Sequence, residues 1–154
     1  MKNLKITPPK GYEIDKEQST FENIVFKSLK KDLPKSWEDL QRINGYAVGI
    51  FSDIHFISDV YASERNKNTF ATREQAEACV ALAQLSQLMA VYNDGWVPDW
   101  TDIEYKYVIF ISGNYVYASF YAHAKHFLAF KTKELRDDFI DNFKDLILKA
   151  KPLL

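Results

Sequence analysis

Apolar residues along this chain fall into two spacings, and the spacing predicts the elements. From 105 to 123 they run almost unbroken as YKYVIFIS, Gly113–Asn114 and YVYASFYAH. A Gly-Asn break between runs rich in β-branched and aromatic residues predicts a β-hairpin, with Ser112 facing Tyr115 and Ile111 facing Val116. YAVGIFSDIHFISDVYA (46–62) predicts two more strands turning near Ser52–Asp53, HFLAF (126–130) a further strand, and FENIVFKSL (21–29) another. In TREQAEACVALAQLSQLMAVYN (72–93) the apolar positions cover most of a helical circumference. The one continuous polar stripe runs through Arg73, Glu77, Gln84 and Gln87. Thr72 and Gln75 form a capping-box pair at its start. A helix apolar on most sides is normally buried on most sides, which places it mid-fold with Cys79 inside. A second helix, 133–149, is amphipathic, with Leu135, Phe139, Phe143, Leu146, Ile147 and Ala150 on one stripe.

The remaining stretches are shorter. Pro8 and Pro9 keep the 1–20 segment extended, and Asp15 is placed to cap a turn through Gln18. Ser36 with Asp39, just after Pro34, predicts a short helix. SERNKN (63–68) is the most polar stretch and predicts an exposed loop. These elements define an α+β fold of antiparallel hairpins or meanders with two main helices, in one domain over 1–154.

The halves 46–93 and 106–150 echo each other. A shift of 60 positions aligns Val48 with Val108, Ser52 with Ser112, and Tyr61–Ala62 with Tyr121–Ala122. It also aligns Phe70, Thr72 and Glu74 with Phe130, Thr132 and Glu134, giving seven identities over 46–74 without a gap. A duplicated strand-strand-helix unit explains this. So does ordinary selection at a strand-to-helix junction, where a Phe packs inward and a Thr caps.

Composition narrows the classes of function. Net charge is −1, from 20 basic and 21 acidic residues. That lacks the positive field behind non-specific nucleic-acid binding and the polybasic character of a membrane-surface protein. Lys27, Lys30, Lys31 and Lys35 cluster in sequence, as a solvated turn would. The single cysteine, Cys79, excludes an intrachain disulfide. No apolar leader or run of membrane-spanning length is present. The expectation is a cytoplasmic protein.

YNDGWVPDW (92–100) is the densest motif. Asn93, Asp94 and Gly95 supply a helix stop, with Gly95 suited to the left-handed cap position. Pro98 blocks continuation, and Asp99 is placed to bond nearby amides. Trp96 and Trp100 either anchor the turn or form a paired surface for a ligand. AQLSQLMAVYNDGWVPDW resembles segments of a protein family found in Bacteroidetes genomes and their phages or mobile elements. PKGYEIDKEQSTFENIVFK, LPKSWEDL and the closing FKTKELRDDFIDNFKDLILKAKPLL are similar to that family's other motifs. The resemblance implies a cytoplasmic bacterial or phage-encoded protein with no assigned activity, and it carries over no catalytic residue.

Candidate chemistry is sparse. The phosphate-binding G-x-x-x-x-G-K-[ST], dinucleotide-binding G-x-G-x-x-G and nucleophile-elbow G-x-S-x-G patterns are absent. His123 and His126 are spaced i,i+3 but lack an obvious third ligand, so neither a metal nor a cofactor is expected. An acid–base role would fall to His123 or Asp99. The hairpin is more informative, because strand side chains alternate faces. One face takes Tyr107, Ile109, Ile111, Val116, Ala118, Phe120 and Ala122, as a core would. The other takes Lys106, Val108, Phe110, Tyr115, Tyr117, Tyr121 and His123. Tyrosine stripes of that kind recur at interfaces and also stack bases. The expectation is a non-enzymatic module that binds a protein through Tyr115, Tyr117, Tyr121 and His123, with Trp96 and Trp100. Nucleic-acid binding is the alternative, disfavoured by the net charge, and a small-molecule enzyme using His123 or Asp99 is the reading after that.

Overall fold

Adjacent segments turn back on one another throughout the chain, so every sheet is small and antiparallel. The computed structural model describes residues 5–29, 33–62 and 67–154. Two compact units separate, Met1–Asp39 and Leu40–Leu154.

In the first unit β1 (Tyr12–Ile14) pairs with β2 (Phe26–Ser28), and Lys27 approaches Glu13 at 3.7 Å. The strand expected over 21–29 is confined to those three residues. Asp15 Oδ1 accepts from the amides of Glu17 (3.0 Å) and Gln18 (3.3 Å), forming the expected turn. The helix expected from Ser36 does not form. Ser36 N donates to Asp39 Oδ2 (3.0 Å) and Asp39 N donates to Ser36 Oγ (3.3 Å), yet the segment stays in bends and turns. A cap only nucleates, and the next strand begins before enough turns could repay that nucleus. Lys30 and Lys31 of the basic cluster, and 63–66 of the polar loop, lie outside the described residues.

The second unit runs β3 (Arg42–Val48), β4 (Ile54–Tyr61), β5 (Thr69–Phe70), α1 (Arg73–Tyr92), β6 (Lys106–Ser112), β7 (Tyr115–Tyr121), β8 (Leu128–Phe130) and α2 (Lys133–Ala150). Its sheets have the orders β4-β3-β5 and β7-β6-β8. Each half is therefore a hairpin, a short third strand returning beside the first, and a helix. This is the α+β architecture expected from the pattern. Both helices start on a threonine. Thr72 Oγ1 accepts from Gln75 N (3.2 Å), and Gln75 Oε1 accepts from Thr72 N (3.3 Å), so the capping box is complete. Thr132 Oγ1 accepts from Leu135 N at 3.3 Å.

Strand pairing gives the correspondence between the halves a different form from the ungapped shift. Tyr46 pairs with Phe70 and Tyr107 pairs with Phe130, so the first strands match at 61 positions and the third strands at 60. Tyr46 faces Phe56 and Tyr107 faces Phe120, so the second strands match at 64. The F-x-T-x-E identities are thus equivalent in space. The strand identities Val48/Val108, Ser52/Ser112 and Tyr61/Tyr121 are not. The offsets differ because each strand of the second hairpin runs further past its paired tyrosine, Tyr107 to Ser112 against Tyr46 to Val48, which outweighs the shorter turn at Gly113–Asn114 against 49–53. At Gly45 a Cβ would overlap the Phe70 carbonyl oxygen. The close approach of β5 to β3 therefore requires glycine.

The core forms where the helices meet the second sheet. Ala81 and Leu85 of α1, Ile109, Leu128 and Phe130, and Phe139, Ile147 and Ala150 of α2 are all buried. Phe139 lies at its centre, with ring centroids 4.8 Å from Phe130, 4.8 Å from Phe143 and 5.1 Å from Tyr92. The hairpin face assigned to the core supplies Tyr107, Ile109, Ile111 and Val116 to it, while Ala118 and Phe120 on β7 remain exposed.

Candidate interaction surface

The β6–β7 register is the one the Gly-Asn turn predicts, Ser112 opposite Tyr115 through Lys106 opposite Tyr121. Gly113 takes φ 59° and Asn114 does not enter the left-handed region, which is a type II′ turn. Tyr115, Tyr117 and Tyr121 project from one face of β7 and are 70%, 44% and 38% exposed. Phe110 stacks on Tyr117 (5.4 Å, 15° between planes) and His126 stacks on Tyr121 (5.0 Å, 14°). Phe110 and His126 lie 6.2 Å apart, closing a four-ring cluster. Burial lowers the His126 pKa, because desolvation penalises the imidazolium. Desolvation therefore favours the neutral ring.

The face is open only in part. Lys106 and Val108 are buried. The Lys106 ammonium is neutralised by the Asp102 carboxylate, donates to Glu104 O (2.9 Å) and lies 5.9 Å from the Trp100 ring. A buried charge is stable only when paired and hydrogen-bonded in this way. His123 is exposed beyond the end of β7 and takes no part in the stack.

The tryptophan segment works as a helix stop. Asn93 is the C-cap, and Asp94 (φ 47°) enters the left-handed region before Gly95 (φ 77°). The cap position assigned to Gly95 is therefore shared. Trp96 N donates to Asn93 O at 2.9 Å. Asn93 is buried and binds β8, with Nδ2 donating to Ala129 O (2.9 Å) and Oδ1 accepting from Lys131 N (3.2 Å). Trp96 and Trp100 are half-buried, and among the described residues neither makes a ring–ring contact. The structure brings Tyr115, Tyr117 and Tyr121 onto one surface and gives Trp100 the separate task of covering Lys106. Phe110 was legible from strand alternation. His126 was not, because the loop after β7 sets its ring against Tyr121.

A second concavity is a groove of about 840 Å³ along α1. Val48 and Gly49 line one side, Cys79, Ala83, Gln84 and Gln87 another, and Phe143 and Leu146 a third. It corrects the expectation that α1 is buried on most sides, since only Ala76, Ala78, Ala81 and Leu85 are. Cys79 is a half-buried groove residue. Along this stretch the apolar circumference of α1 borders a gap.

The acid–base candidates stand apart. Asp99 accepts from the Thr101 hydroxyl (2.6 Å) and amide (2.8 Å), which hold its pKa below the usual carboxylate range. It makes the turn expected of it, and its pKa is poorly matched to proton abstraction near pH 7. Among the described residues no three His, Cys, Asp or Glu side chains converge as metal ligands, and no helix is long and apolar enough to cross a membrane. No protein-family model matches the chain, and neither a curated protein nor a solved structure matches it.

Proposed function

We propose that this protein is a non-enzymatic interaction module whose β6–β7 hairpin presents an aromatic surface to a protein partner. The observation that carries this reading is the exposure of Tyr115, Tyr117 and Tyr121 on one face, the last two backed by stacked Phe110 and His126. Rings braced by neighbours lose little entropy on binding, and tyrosine presents apolar area and a hydroxyl together. The setting we assign, an accessory protein of a bacterial phage or mobile element acting in the cytoplasm, rests on the sequence resemblance and the single cysteine.

The test is affinity capture followed by mass spectrometry, with Tyr117→Ala and Tyr121→Ala beside the parent chain. Both variants are expected to keep the parent's circular dichroism and to lose the captured protein, since central aromatic anchors typically contribute ~2 kcal/mol or more. Capture unchanged in both variants would overturn the assignment. Binding to a single-stranded oligonucleotide that weakens with added salt would replace the protein partner with a nucleic acid.

A further inference from the structure

The two sheets of the second unit each end in a long strand, β4 in one and β7 in the other. An unpaired edge offers a row of free N–H and C=O groups, and proteins that leave an edge solvated usually guard it with charge, proline or a bulge. β4 carries such guards. Asp59 adopts φ 52° and its carboxylate pairs with Arg42 at 2.7 Å. The register slips between Ile43 and Gly45 on the strand it pairs with. β7 carries none in its own sequence: YVYASFY has no charged residue and no proline, and its pairing with β6 runs without a slip, the nearest charges being Lys133 and Arg136 of α2, whose guanidinium donates to Ser119 O at 2.8 Å.

The turn fixes which backbone groups of β7 are free. Residues flanking a two-residue hairpin loop exchange both hydrogen bonds. Tyr115 therefore points its polar groups at Ser112, as do Tyr117, Ser119 and Tyr121 at their partners. Val116, Ala118 and Phe120 direct theirs outward. About Ala118 the segment places Val116 and Phe120 on one side face, and Tyr115 with Tyr121 and Tyr117 with Ser119 on the other.

We infer that β7 pairs antiparallel with β7 of a second copy, about a two-fold axis at Ala118, joining two three-stranded sheets into one. Val116 then lies opposite Phe120 of the second copy and Tyr115 opposite Tyr121 of the second copy, with the two small Ala118 side chains face to face. Such an isologous contact needs a self-complementary patch. An uncharged strand provides one without like charges opposed, and a net charge of −1 leaves the copies little mutual repulsion. Phe120, which is exposed although it lies on the helix side of the sheet, gains a cover. The two tyrosine stripes also become a single platform. This inference concerns the edge of the strand and does not rest on what the tyrosine face binds.

Sedimentation velocity on the full chain tests it, with Ala118→Lys and Ala118→Glu made separately and then mixed. Ala118 is exposed, so neither change removes a packed side chain, and circular dichroism checks each fold. The parent is expected to be a dimer, and each variant to dissociate at least about tenfold more readily because like charges meet at the axis. The equimolar mixture is expected to return to dimer, since Lys then faces Glu. A parent that stays monomeric over the concentration range overturns the pairing. So do variants that both remain dimeric, and so does a mixture of two folded monomeric variants that stays monomeric.

Discussion

The two halves of the larger unit share a plan and differ in what fills it. Both run hairpin, third strand, threonine cap and helix, and the caps sit 60 residues apart. Counted from those caps, Phe139, Phe143 and Ile147 of α2 occupy the places of Cys79, Ala83 and Gln87 in α1. In the second half those three side chains belong to the core or pack against it. In the first half their counterparts line the groove. The hairpins continue the contrast. Ile111 packs against the core, while Ile50, its counterpart counted from the paired tyrosines, is 91% exposed. One strand order thus accompanies a filled layer in one half and a groove in the other, with small or polar side chains at these helical positions on the groove side. The threonine caps and the strand-to-helix junctions are indifferent to that choice, which is why they are the parts that match at a single offset.

The largest expected effect comes from emptying the closed half. Phe139→Ala removes a fully buried ring contacted by Phe130, Phe143 and Tyr92, and should cost about 3–5 kcal/mol in urea unfolding. Cys79→Ala, the same position in α1, should cost roughly 1 kcal/mol or less, because the thiol borders open space. Equal losses at the two positions would mean that the halves are packed alike.

The converse change sharpens the comparison. Ala83→Leu extends an exposed small residue into the groove at the place where α2 carries Phe143. Filling such a space commonly stabilises by about 0.5–2 kcal/mol, read as a higher urea midpoint with an unchanged slope. A lower midpoint would show that the groove walls are too close for the added volume, and that α1 sits as near its sheet as α2 does.

How much of this was legible follows from which physical signals are local. The caps at Thr72 and Thr132, the Gly113–Asn114 turn and the register of β6 with β7 are set by residues within a few positions of each other, and each appears as expected. The single face shared by Tyr115, Tyr117 and Tyr121 followed from alternation alone. The burial of α1 did not, because periodicity reports that a side chain is apolar and not whether another element stands against it. Ala78, Ala83 and Ala90 count equally in the pattern, yet Ala78 is buried and the other two are exposed. The exclusion of Lys106 from the open face was equally hidden, since it depends on Asp102 and Trp100 folding back over the ammonium. The assumption that a Ser-x-x-Asp pair begins a helix failed at Ser36 for the reverse reason. The local bonds formed, but no longer-range packing extended them.

The smallest effect separates the aromatic cluster from the rest of the second half. His126 has a pKa lowered by burial, so in the folded state it resists protonation more than it does unfolded. Between its folded pKa and the unfolded value of about 6.5 the unfolded chain holds more protons, and stability therefore rises with pH across that window. The stabilisation is complete above the unfolded pKa and is lost as the pH falls through the folded one. His126→Gln keeps a planar polar group without a titrating proton, so the difference in melting temperature between the parent and this variant should shift against the parent on going from pH 7.5 to 5.5. The imidazole is partly open to solvent, which limits the change to a small one, but its sign is fixed. A difference that stays constant with pH would mean the ring is as well solvated in the folded chain as in the unfolded one. His126 would then not brace Tyr121 as a neutral stacked ring, and the two tyrosines would differ, Tyr117 held by Phe110 and Tyr121 free to move.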